Sequence, residues 1–143
     1  VISAFWGNLT LGTLVTLILI KTVDGKVLLH IYSLASSVLI LCALFGNLEV
    51  SVLSFKLMGF SISGIWSLII SLGLNSVTKN HGTFTGILLT GIIGGAIFPF
   101  LIAFISQISE LRYGMLLIFL GLLYISYIGL YSKPIEKNSL LKF

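Results

Sequence analysis

Charged residues are few in this sequence. Asp, Glu, Lys and Arg make up 8% of 143 residues, and the acids number only four. With a hydrophobic share of 57% and a mean hydropathy of +1.17, the chain lies outside the range of water-soluble globular domains. The acids Asp24, Glu49, Glu110 and Glu136 all fall in short polar breaks or in the tail. No intramembrane carboxylate is therefore available to carry a proton or bind a cation. The single cysteine, Cys42, excludes an internal disulfide and reads as a small apolar filler. With only two histidines beside it, no metal cluster, acid pair or nucleophile with its base can be assembled, so neither a metal, a cofactor nor enzymatic activity is expected. The basic residues are dispersed, which excludes a nucleic-acid footprint.

What the chain has in abundance is apolar length. Five stretches near 2–20, 28–46, 52–74, 84–106 and 113–131 each match the run of about 20 residues that crosses a bilayer core. Lipid offers no partners to backbone groups, and no alternating pattern points to a barrel, so the expected fold is all-α, a polytopic helix bundle embedded in the lipid bilayer. The breaks are KTVDGK (21–26), GNLEVS (46–51), SVTKNHG (76–82) and SQISELR (106–112), followed by a tail over 133–143. If the tail is cytoplasmic, the inner face carries Lys21, Lys26, Lys79, Lys133, Lys137 and Lys142, and the outer face only Lys56 and Arg112. That distribution obeys the positive-inside rule and predicts an outside start and an inside end, in the plasma (inner) membrane. The chain opens at Val1 with no signal-type segment and is expected to be the C-terminal part of something longer.

Small residues mark contact faces, because helices in lipid associate through close backbone approach and hydrogen bonds. The first span has Asn8, Gly12 and Thr16 at four-residue spacing, and the fourth has Gly82 with Gly86 and Gly91 with Gly95. Packing is the expected role of both. In the third span Gly59, Ser63, Ser67, Ser71 and Asn75 are each four apart, a stripe that suits packing or cavity lining. Trp66 between Ser63 and Ser67 favours a cavity, since an indole N–H in lipid lacks a partner. Trp6 suits an interfacial belt, and with Asn8 it is also a candidate solute contact. The tyrosines 113, 124, 127 and 131 fit belt and helix-end roles. Gly94 and Gly95 before Pro99 predict a kink or hinge. His30 and His81 are expected as solvated interfacial imidazoles, and Lys56 as a snorkelling residue.

The segments FWGNLTLGTL and IKTVDGKVLL near the start, and TGIIGGAIFPFLIAFIS later, resemble the major facilitator superfamily, specifically its fucose and hexose permease branch of sugar:proton symporters. The resemblance covers nearly the whole chain and implies helices eight to twelve of a twelve-helix carrier, with the N-terminal half of the same chain absent from this sequence. It implies a secondary transporter of a small polar solute such as a sugar, driven by protons through alternating access. Gly12 and the segment from Gly91 through Gly94 and Gly95 to Pro99 would face the other half. Ser63, Trp66 and Ser67 would contact the solute in the central cavity. The alternative expectation is a non-transporting or degenerate membrane scaffold.

Overall fold

A computed structural model describes residues 1–133, which form seven helices: α1 (Ile2–Leu19), α2 (Gly25–Phe45), α3 (Leu48–Ile62), α4 (Ile65–Leu74), α5 (His81–Gly91), α6 (Gly94–Ile108) and α7 (Leu111–Tyr131). The tail beyond Lys133 lies outside the described residues. Helices α3 and α4 are two parts of one apolar stretch, Leu48–Leu74, and α5 and α6 are two parts of another, His81–Ile108. Five spans long and apolar enough to cross a membrane result, and the protein is an all-α integral membrane protein.

The connections are shorter than the polar breaks suggested. Asn47 starts the third span in extended backbone, and Glu49 sits in its first turn, where the helix dipole favours a carboxylate. Glu110 starts α7 in the same way. At the start of α2, Asp24 caps the helix by accepting a hydrogen bond from the Lys26 amide at 3.2 Å. Between α4 and α5 the chain turns through Asn80 at φ 61°, a left-handed conformation that asparagine tolerates better than most residues.

Successive spans alternate in direction, so the ends of α1, α4 and α7 share one side with the starts of α2 and α5. That side carries Lys21, Lys26, Lys79 and Lys133; the opposite one carries Glu49, Glu110 and Arg112. Helix α2 is the hub: α3, α4 and α7 pack on it, α1 packs on α3, and α6 on α7. The apolar core accordingly centres on Leu28, Leu29, Tyr32 and Ile40 of α2, with Met58, Ile65, Leu68 and Leu72 from the third span and Leu122 from α7. The fourth span meets α7 through α6 and contains no fully buried residue.

Both breaks lie near the middle of their spans and have local causes. At the first, the Ser63 hydroxyl donates to the Phe60 carbonyl at 2.7 Å, and Gly64 follows with low helix propensity. At the second, the amides of Ile92, Ile93, Gly95 and Ala96 reach back three residues, to Leu89, Thr90, Ile92 and Ile93, at 2.8–3.1 Å. The helix is thus wound tighter for one turn. Pro99, six residues downstream of Ile93, has no N–H to offer the Gly95 carbonyl. The interruption falls before the proline, between Gly91 and Gly94.

Candidate functional site

Two polar constructions hold the bundle together, and the candidate site is built from them. The first joins α1 to the third span. These run in the same direction, and Asn8, Gly12 and Thr16 meet the partner in order. Asn8 Nδ2 donates to the Lys56 carbonyl at 2.9 Å. Gly12 lies so close to Ser63 and Phe60 that a β-carbon would stand 2.6 Å from the Phe60 carbonyl oxygen. Thr16, buried, donates to the Gly12 carbonyl at 2.7 Å and shares a 2.9 Å hydrogen bond with the Tyr32 hydroxyl of α2. Gly64 completes the junction, since a β-carbon there would lie 2.6 Å from Thr16 Oγ1. The break in the third span is therefore seated on a three-way contact among α1, α2 and α4.

The second construction runs along α2. Ser33, Ser36 and Ser37 are all buried on the face that also carries Leu29, Tyr32 and Ile40. The Ser33 hydroxyl donates to the His30 carbonyl at 3.1 Å and Ser37 to the Ser33 carbonyl at 2.7 Å. Ser36 Oγ is fully enclosed and has no hydrogen-bond partner. One turn nearer the lysine-rich end, His30 Nδ1 lies 2.7 Å from Ser126 Oγ of α7. Gly129 lies beside this pair, where a β-carbon would sit in ordinary contact with Leu29 at 3.4 Å.

These contacts change several expectations. His30 is not a freely solvated interfacial imidazole but a half-buried link between α2 and α7; a partner 96 residues away in sequence has no local signal. Ser63 donates its hydroxyl to the Phe60 carbonyl and lies against Gly12, so it is engaged in packing between α1 and the third span. Asn8 is likewise engaged in packing. The third-span stripe divides at the break: Gly59 and Ser63 meet α1, whereas Ser67 is exposed on α4. Trp66 is 46% exposed and stands beside Ser67 on the outward face, while Ile65, Leu68 and Leu72 point into the core. Trp6 is exposed near the opposite end and meets Phe5 edge-to-face. The structure thus brings Trp66 and Ser67 together and leaves Trp6, Asn8 and Ser63 in the α1 contact region.

For Gly91, Gly94 and Gly95 a β-carbon would meet nothing within 4 Å, and Pro99 is exposed. They form no close helix contact among the described residues, although the same span meets α7 further along, where a β-carbon at Gly114 would stand 2.7 Å from the Ile102 carbonyl oxygen. The interruption itself sits at Ile92 and Ile93, between Gly91 and Gly94.

Clefts open between the helices among the described residues. One of about 410 Å³ at the lysine-poor end is bordered by Gly46, Ser51, Glu110 and Arg112. An apolar one of about 180 Å³ lies among Leu29, Leu72, Phe84 and Leu88. A third, of about 220 Å³, is lined by Lys26, Val27, His30, Gly129 and Leu130. Among the described residues no group of three His, Cys, Asp or Glu side chains is placed to hold a metal ion. The buried serines of α2 are the elements that sequence reasoning missed, although His30, Ser33 and Ser37 recur at helical spacing and Ser36 lies beside them. No family model matches the chain, and neither a curated protein nor a solved structure is found to be similar to it.

Proposed function

We propose that this chain is the C-terminal part of a secondary transporter of the major facilitator type, moving a small polar solute such as a sugar by proton-coupled alternating access. In this reading it has no enzymatic role. It sits in the plasma membrane with the lysine-rich end and the C-terminus in the cytoplasm, as the lysine distribution favours. The observation that carries the proposal is the pair of mid-span breaks, one of them in a span with no buried residue. Irregular backbone at membrane depth is tolerated where protein covers it or where it lines a cavity, and interrupted helices are a recurrent device of secondary transporters. The uncovered break at Ile92 and Ile93 fits a surface that further helices complete. Trp66 and Ser67, exposed just past the other break, are the candidate solute contacts left unoccupied by packing.

The test is solute uptake by the full-length protein in proteoliposomes, with a panel of sugars and an imposed pH gradient. Gradient-driven uptake of a sugar, weakened roughly tenfold in apparent affinity by Trp66→Ala through loss of ring contact, supports the reading. Uptake indifferent to the gradient removes proton coupling. A folded protein that neither binds nor moves any member of the panel favours the scaffold alternative.

A further inference from the structure

We propose that α5 is a hinged half-helix that swings independently of α6, with the interruption at Ile92 and Ile93 as its hinge and the contact of Phe84 on Gly73 as its latch. This inference stands apart from the transport reading, because it needs only that the two halves of the fourth span are held differently. Helix α6 is docked on α7: a β-carbon at Gly114 would stand 2.7 Å from the Ile102 carbonyl oxygen, and one at Gly121 would lie 3.8 Å from the Phe98 ring. Helix α5 packs on α4 instead, through a thin contact. Its Phe84 and Leu88 are half-buried, and every other residue from His81 to Gly91 is exposed. The hydroxyls of Thr85 and Thr90 donate to the His81 and Ile87 carbonyls, so both stay within α5.

Phe84 and Leu88, four residues apart, share one face of α5, and that face covers the apolar cleft of about 180 Å³ whose other walls include Leu29, Leu72 and Ile128. The tip of the Phe84 ring occupies the space that a side chain at position 73 would need, since a β-carbon on Gly73 would stand 2.6 Å from Phe84 Cζ. Glycine there is the condition for closure. The free energy of a local opening follows the apolar contact that it breaks, and for α5 that contact is one ring and one leucine. Both ends of the half-helix are places where backbone angles change: Asn80 at φ 61° precedes it, and the tightened turn over Ile92 and Ile93 follows it. An arm bounded in this way moves as a rigid piece about its terminal residues. Opening lifts Phe84 from Gly73 and uncovers Leu29, Leu72 and Ile128 at the lysine-rich end, while α6 keeps its place on α7.

The experiment is pulsed electron spin resonance on the full-length protein in lipid nanodiscs, with Cys42 and any other native cysteine replaced by alanine. One spin-label pair joins Ile87 of α5 to Ile18 of α1, and a second joins Phe104 of α6 to Ile2 of α1, all exposed positions. The first pair should show a second, longer distance beside the closed one, and the second pair a single narrow distance. Gly73→Ala puts a methyl where the Phe84 ring rests and should raise the ratio of long to short distances about tenfold. Phe84→Ala removes the latch from the other side and should move the ratio in the same direction, which keeps the test open if Gly73→Ala does not fold. Gly86→Ala, where a β-carbon meets nothing within 4 Å, should leave the ratio unchanged. A first pair as narrow as the second overturns the proposal. Broadening of both pairs together assigns the motion to the whole span and overturns it too, as does a ratio that ignores Gly73→Ala and Phe84→Ala or responds equally to Gly86→Ala.

Discussion

Alanine placed at Gly12 and at Gly95 should act with opposite sign. At Gly12 the new methyl would lie 2.6 Å from the Phe60 carbonyl oxygen and still closer to Ser63 Oγ. Neither obstacle moves cheaply, since one is backbone and the other is hydrogen-bonded to that same backbone oxygen at 2.7 Å. Overpacking of this kind costs about 1–3 kcal/mol, of which the better helix propensity of alanine returns about 1. The net is a loss of about 1 kcal/mol. At Gly95 the methyl meets nothing within 4 Å, so only the propensity gain of about 0.5–1 kcal/mol remains. The two variants should then differ by about 2 kcal/mol, roughly thirtyfold in the unfolding equilibrium. Unfolding of this chain in mixed dodecylmaltoside and dodecylsulfate micelles, followed by tryptophan fluorescence, reads the difference directly. A Gly12→Ala variant as stable as the parent, or a Gly95→Ala variant that loses stability, would refute the packing argument. In the full-length protein the second substitution also reports on coverage: if further helices seat on α6, Gly95→Ala should impair uptake while leaving this chain stable.

The Thr16/Tyr32 hydrogen bond should appear in a double-mutant cycle of Thr16→Val and Tyr32→Phe as a coupling of about 0.6–1.7 kcal/mol, the range for polar pairs between membrane helices, and additive losses would show that the contact contributes nothing. Ser36→Ala should stabilise the bundle by about 1 kcal/mol, because it removes an enclosed hydroxyl that has no partner. Destabilisation by that variant in the same micelle titration would mean that Ser36 is hydrogen-bonded in the membrane, for example by a buried water.

The spans were legible in the sequence because a bilayer imposes a length, and apolar runs of that length have few other uses. The α1 stripe was legible for a related reason: Asn8, Gly12 and Thr16 repeat at one helical spacing, and all three meet the third span. Breaks were harder to place. Pro99 advertised a bend, but the helix is interrupted six residues earlier, among Gly91, Gly94 and Gly95; Ser63 read as part of a stripe and, with Gly64 after it, proved to be an interruption. Least legible were the pairings that depend on which helices become neighbours. His30 with Ser126, and the enclosed row of Ser33, Ser36 and Ser37, follow from α2 taking the central place, and hydropathy alone does not rank one apolar span above another for that position.

The fourth span is the most apolar of the five and the least embedded, a combination that bears on how the chain is made. With no fully buried residue, though α6 docks on α7, its place in the membrane rests more on its own partition into lipid as it leaves the translocon than on neighbours that enclose it. A charge introduced between His81 and Ile108 should therefore act at the moment of insertion, by about 2.5–3.5 kcal/mol near the middle. The same change on the buried face of α2 would carry that insertion cost and, in addition, a fault in assembly. Glycosylation mapping during synthesis reads the insertion cost shared by both, and the stability of the inserted protein reads the assembly fault that only the embedded span adds.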